Sequence, residues 1–178
     1  WGSDWEGWRR WREAVEGAGV LVLQFPKVDL GQTRGVSLLK FPLPVIGINS
    51  KESSPGARSF TLLHELVHVS LALGCEERAA LRESRDNPSW EKVEQYAEES
   101  ASAALIPEEM MRERLEEMKI GPQRLDVASM RQLASHFRVT PLAMATRLRA
   151  ASVLSWSAYE AWKQAWQAYI AQIPKRKG

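Results

Sequence analysis

The run His64-Glu65-Leu66-Val67-His68 places two imidazoles and a carboxylate within five residues. Positions i and i+4 of a helix lie one above the other, so both rings can offer a nitrogen to one cation while Glu65, one position on, leans toward its open side. Zinc held by two neutral imidazoles needs a third protein ligand and keeps a fourth place for water. With a carboxylate beside that place, the chemistry is amide hydrolysis. Glu65 would activate a metal-bound water and later hand the proton to the leaving amine. Pentapeptides of this kind also occur on helices that hold no metal, so the surroundings must decide. The other imidazole of the chain, His136, sits beside Phe137. Such a residue is more often structural or exposed, and polarising the substrate oxyanion is its functional alternative.

A third ligand is expected on a second helix at about 90–105. There Val93, Ala97, Ala101, Ala104 and Leu105 form an apolar stripe of mostly small residues, bordered by Glu94 and Glu98 four positions apart. Small residues let another helix approach closely, which brings a carboxylate at the stripe edge within reach of an ion on the first helix. Glu94 is the expected third ligand. Glu98 is the candidate for accepting the outer N–H of His64 or His68, which would orient the ring and raise its basicity. The alternative is that Glu91, Glu94, Glu98 and Glu99 form a solvated face.

The elements that must position these groups can be read from periodicity. Tryptophans at 1, 5, 8 and 11, with Arg9, Arg10 and Glu13 between them, predict an amphipathic helix over 4–18 that ends at Gly17 and Gly19. Three short runs, 20–25, 36–41 and 44–49, separated by glycine or proline, suit a small sheet. The first two show little polar alternation at their centres, so at least one of them should be well buried. The histidine helix is expected over about 60–73, capped by Ser59 or Thr61. It carries Phe60, Leu62, Leu63, Leu66, Val67, Leu71 and Leu73 for core packing, which would hold its ligands in place. Ser89 is expected to cap the glutamate helix. Further helices are expected at 107–118, 126–136, 140–151 and 152–172.

The 178-residue chain is 44% apolar and can bury one substantial core, or one core with a small satellite. A single cysteine, Cys75, excludes an internal disulfide framework and points to a reducing cytoplasm. Its expected role is a buried small hydrophobe, with a thiolate near the metal as the alternative. No segment has the roughly 20 apolar residues of a membrane span, and the first dozen residues lack a signal-peptide pattern. Because the chain starts at Trp1 without a methionine, a missing upstream region stays open. The net charge of +2 argues against direct nucleic-acid binding, and the tail Lys175-Arg176-Lys177 is read as solvated.

Taken together, positions near 10 to 150 resemble the ImmA/IrrE family of intracellular HExxH metallopeptidases. That family includes the radiation-response regulator of deinococci and anti-repressor proteases of mobile elements. The likeness is carried by a helix, the Gly19 to Phe25 strand, Pro44-Val45-Ile46-Gly47-Ile48-Asn49, the stretch Arg58-Ser59-Phe60-Thr61-Leu62-Leu63 into His64, and Glu94-Gln95-Tyr96-Ala97-Glu98 through Leu105-Ile106-Pro107. It implies His64, His68 and Glu94 as ligands of Zn2+, with Mn2+ as the alternative, and Glu65 as the catalytic group. It also implies an α+β fold, a reduced thermolysin-like zincin core with a small three-stranded sheet and a mainly helical remainder. The implied activity is cleavage of a helix-turn-helix transcriptional repressor at one site. Val67 stands where the family usually has glycine, Glu98 where asparagine or aspartate is usual, and Ser100 where an aromatic is common.

Residues 1–124 are read as the metallopeptidase core and 125–178 as a C-terminal helical region packed on it. Residues 125–148 match a helix-turn-helix pattern superficially. A pair of packed helices is preferred over a DNA-binding module through 125–149, for which Arg131, Arg138, Arg147 and Arg149 would be the first contacts. The last helix bears Trp156, Tyr159, Trp162, Trp166, Tyr169 and Ile170, expected to pack within the molecule or to bury a dimer contact. The expected state is a monomer or weak homodimer. The remaining alternative is a non-catalytic, metal-containing regulator that binds a repressor or toxin.

Overall fold

A computed structural model describes residues 2–39, 42–74, 88–121 and 124–173. The chain is α+β and divides into two compact units, Trp1–Leu105 and Ile106–Gly178. The helix that begins behind Pro107 is tied to the C-terminal helices of the second unit. Arg147 Nε donates to the Ile106 carbonyl at 3.0 Å, and an Arg112 guanidinium nitrogen lies 3.4 Å from the Ala151 carbonyl.

The first unit runs α1 (Asp4–Gly17), β1 (Leu21–Phe25), β2 (Gly35–Leu38), β3 (Val45–Asn49), α2 (Pro55–Gly74) and α3 (Pro88–Leu105). Ser3 Oγ accepts from the Glu6 amide at 3.1 Å and starts α1, with Asp4 and Glu6 in its positive first turn. Gly19, at φ 87°, makes the sharp turn into β1 that a side chain would oppose.

In the sheet, ordered β1-β3-β2, β3 pairs parallel with β1 and antiparallel with β2. Val22, Ile46 and Ile48 share the inner face and pack with Trp8 and Val15 of α1 and Leu62 and Val69 of α2. The best-buried strand is therefore β3, not either of the first two as expected. As edge strands covered on one face, β1 buries only Val22 and β2 buries no residue, and Leu21, Leu23, Val36 and Leu38 are exposed. Trp5 departs similarly: it is exposed, and the Arg58 guanidinium lies 5.2 Å from its ring centre.

The histidine helix starts earlier than its apolar spacing suggests. Ser54 Oγ, 3.3 Å from the Ala57 amide, occupies the capping place, and Ser59 and Thr61 lie inside the helix, where Ser59 Oγ donates to the Pro55 carbonyl. Ser89 likewise falls within α3. Cys75, most of the polar stretch after it and the basic tail lie outside the described residues.

The second unit holds α4 (Glu108–Glu117), α5 (Val127–His136), α6 (Pro141–Ala150) and α7 (Trp156–Ala171). Asp126, Thr140 and Ser155 cap the last three through side-chain oxygens. Met111, Met130, Leu133, Met144, Leu148 and Trp162 are buried in it. Among the described residues no helix is long and apolar enough to cross a membrane.

Candidate metal centre

Three contacts fix the direction of α2. Arg58, buried three residues into the helix, donates Nε to the Glu52 carbonyl, Nη1 to Gln24 Oε1 at 3.2 Å and Nη2 to the Ser50 carbonyl at 3.0 Å. A planar fork with several donors in fixed directions suits this task, and lysine could not reproduce it. Opposite, α3 lies along α2 through Ala97 and Ala101, both buried with almost no exposure. The small-residue stripe does bring the helices close, except that Ala104 is exposed.

This packing brings His64, His68 and Glu94 together. The two Nε2 atoms are 3.1 Å apart, Glu94 Oε2 is 3.3 Å from that of His64, and Oε1 is 3.3 Å from that of His68. Among the described residues, these are the histidine, cysteine and acidic side chains that cluster closely enough to hold an ion. Two nitrogens bound to one zinc at about 2.0–2.1 Å in tetrahedral arrangement stand about 3.3 Å apart, so the observed spacing fits the group. So does the donor chemistry. Burial and the neighbouring His68 push the His64 pKa down, against an opposing pull from Glu94, which favours the neutral imidazole that a metal requires.

Aromatic rings flank the pair. Trp90, one turn before Glu94 on α3, stacks on His68 with centroids 5.4 Å apart and planes at 13°. Phe60 lies 6.3 Å from His64 at 29°. The Trp90 contact was not read from the sequence, although its spacing of four from Glu94 puts both on one helical face.

Glu65 stands outside the ligand set but close enough to Glu94 to feel its charge. Burial, reinforced by Glu94, raises its carboxyl to about 7, while a hydrogen bond with the Ser37 hydroxyl opposes the rise. The β2 backbone also crowds it. A Cβ added at Gly35 would fall 2.5 Å from Thr61 Cγ2 and 2.9 and 3.0 Å from Glu65 Cγ and Oε1. In turn the start of β2 is held by Asn49, fully buried at the end of β3. Its Nδ2 donates to the carbonyls of Val28 and Thr33 at 3.0 and 2.9 Å, and its amide donates to the Arg34 carbonyl at 2.8 Å. Sequence reasoning missed Gly35, Ser37 and Asn49 as site residues. The one available signal was a polar residue closing the apolar run of β3.

Glu98 stands exposed on α3, one turn beyond Glu94. His136 lies in the second unit, exposed at the end of α5 and edge-on to Phe137 at 5.0 Å.

Helix-borne imidazoles with a carboxylate from a neighbouring helix define a metallopeptidase-type site. Residues 15–149 match the family model of peptidase M78, the IrrE N-terminal-like domain, and the chain belongs to that family. No curated protein matches the chain.

Proposed function

We propose that this protein is a metal-dependent endopeptidase that cuts a helix-turn-helix transcriptional repressor at one site in the cytoplasm. The observation that carries the reading is the convergence of His64, His68 and Glu94 beside a buried Glu65 that is not itself a ligand. His64, His68 and Glu94 would hold zinc, with manganese as the alternative. When bound, the metal polarises the scissile carbonyl and acidifies water. Glu65 is the general base and then the proton donor to the leaving amine. Burial disfavours the carboxylate and so helps Glu65 to take up and hold the proton that it later delivers.

Among the described residues β2 pairs only with β3, so its other edge can take an extended peptide segment as an added strand. That edge belongs to the strand whose inner face holds Glu65, which favours an endopeptidase acting on an unfolded or loop segment. The membership in a peptidase family supports hydrolysis in general, while the repressor as substrate rests on the resemblance.

The test is to incubate native protein and Glu65→Gln with the repressor encoded beside the gene, with and without added metal, and to follow fragments. Metal-dependent cutting at one bond by the native protein alone is expected. Cleavage by both forms would remove Glu65 from the mechanism. Binding without cleavage by either would make the protein a non-catalytic regulator.

A further inference from the structure

Two observations on β2 point at the same side chain from different directions. Gly35 and Ser37 are alternate residues of one strand and so share a face; both are less exposed than Val36 and Leu38 on the other. At Gly35 the space that any Cβ would fill is taken by Thr61 Cγ2 and by Cγ and Oε1 of Glu65. Two positions on, Ser37 turns its side chain to the same face, and its hydroxyl is the polar group that pulls the Glu65 carboxyl down against burial. The demand on Gly35 is steric and not conformational, since its φ is not in the left-handed region.

We propose that Gly35 and Ser37 form the seat of Glu65, acting as positioning residues that set where its carboxylate sits against the neighbouring imidazoles. α2 fixes the Glu65 backbone, but a flexible side chain on a helix can adopt several rotamers. The seat selects among them: the bare backbone at Gly35 admits the carboxylate, and the Ser37 hydroxyl on the same face offers it a donor. Its own position is set by Asn49, which ties the preceding loop at Val28, Thr33 and Arg34. The lone glycine at the start of a strand is thereby explained by what lies across from it.

The inference rests on the reading of Glu65 as general base, and the primary test is independent of activity. In metal-free protein the carboxyl carbon resonance of Glu65 is recorded by NMR for native protein, Gly35→Ala, Ser37→Ala, Ser37→Thr and Val36→Thr. The seat predicts displaced resonances for Gly35→Ala and Ser37→Ala, a near-native one for Ser37→Thr, which restores the hydroxyl, and no change for Val36→Thr on the opposite face. An unmoved resonance in Ser37→Ala, which leaves no clash and should fold, would overturn the proposal even if Gly35→Ala failed to fold. So would equal displacement by Val36→Thr.

On a quenched peptide cut by the native protein, Gly35→Ala should lower kcat about 10- to 100-fold, as expected when a reacting group is misplaced by about 1 Å. KM and metal content should stay near native values. A rise in KM alone with native kcat would instead assign the strand to substrate binding. If the native protein cuts nothing while the resonances behave as described, the seat stands and the peptidase reading falls.

Discussion

Glu65 carries two opposing demands, and they separate with pH. Its carboxyl, raised to about 7 by burial, binds a proton more tightly in the folded than in the unfolded chain, where the ordinary value is 4.5. The contribution of Glu65 to the stability of the metal-free fold is therefore fully present below pH 4.5 and is lost as pH rises from there through about 7. Glu65→Gln removes the buried charge. Above pH 7 it should stabilise the metal-free protein by about 1–3 kcal/mol, with the gain shrinking toward pH 5, while cleavage disappears. Denaturant melts of both proteins at pH 5 and 8 check this, and an equal difference at both values would show that Glu65 is not buried as a charge. A residue kept at a cost to stability is what a catalytic role leads one to expect. The histidine pair and Glu65 could be read as candidates from spacing because i, i+4 geometry is local, while Glu94 needed the small-residue stripe of a second helix. Gly35 and Ser37 could not, because the helix they touch lies well over a dozen positions further along the chain.

At the level of elements, the centre depends on how closely α2 and α3 approach. Ala97 is fully buried between them, and the equivalent position cannot take a larger side chain without separating the helices. Ala97→Leu should weaken metal affinity about 10- to 100-fold, the factor that corresponds to overpacking of 1–3 kcal/mol, although no ligand is altered. Competition with a chelator measures it; native affinity would mean that the interhelical distance does not position Glu94.

Asn49 acts on the sheet side. Asn49→Ala would strip hydrogen-bond donors from two loop carbonyls and should cost about 2–4 kcal/mol in a denaturant melt. A loss below about 0.5 kcal/mol, the range of ordinary surface changes, would show that the loop does not lean on it. The helices were legible in the sequence to within a few residues because their periodicity is strong. The exception was α2, whose start at Pro55 is set by the Ser54 cap while its apolar run begins only at Phe60. Strand burial was misjudged because strand order is a tertiary property: nothing in the residues of β3 says that it lies between the other two.

For the molecule as a whole, the second unit bears on the DNA-binding alternative. Three of its arginines are engaged within the unit. Arg131 donates to the Tyr169 hydroxyl at 2.6 Å, Arg147 to the Ile106 carbonyl, and Arg149 lies 5.3 and 5.7 Å from the rings of Trp156 and Tyr159. These contacts compete with phosphate for three of the four guanidinium groups that would be first to meet DNA. Purified protein should show no duplex binding tighter than about 10 μM at physiological salt, the middle of the non-specific range. Submicromolar binding with a steep salt dependence would restore the helix-turn-helix reading of 125–149.

The most direct measurement of the central claim is metal stoichiometry and affinity across four proteins: native, Glu65→Gln, Glu94→Ala and His68→Ala. A site built by α2 and α3 together predicts one ion per chain in native protein and Glu65→Gln, and its loss from Glu94→Ala and His68→Ala while both remain folded. Retention of native affinity by Glu94→Ala would contradict the claim that the two helices share the ion.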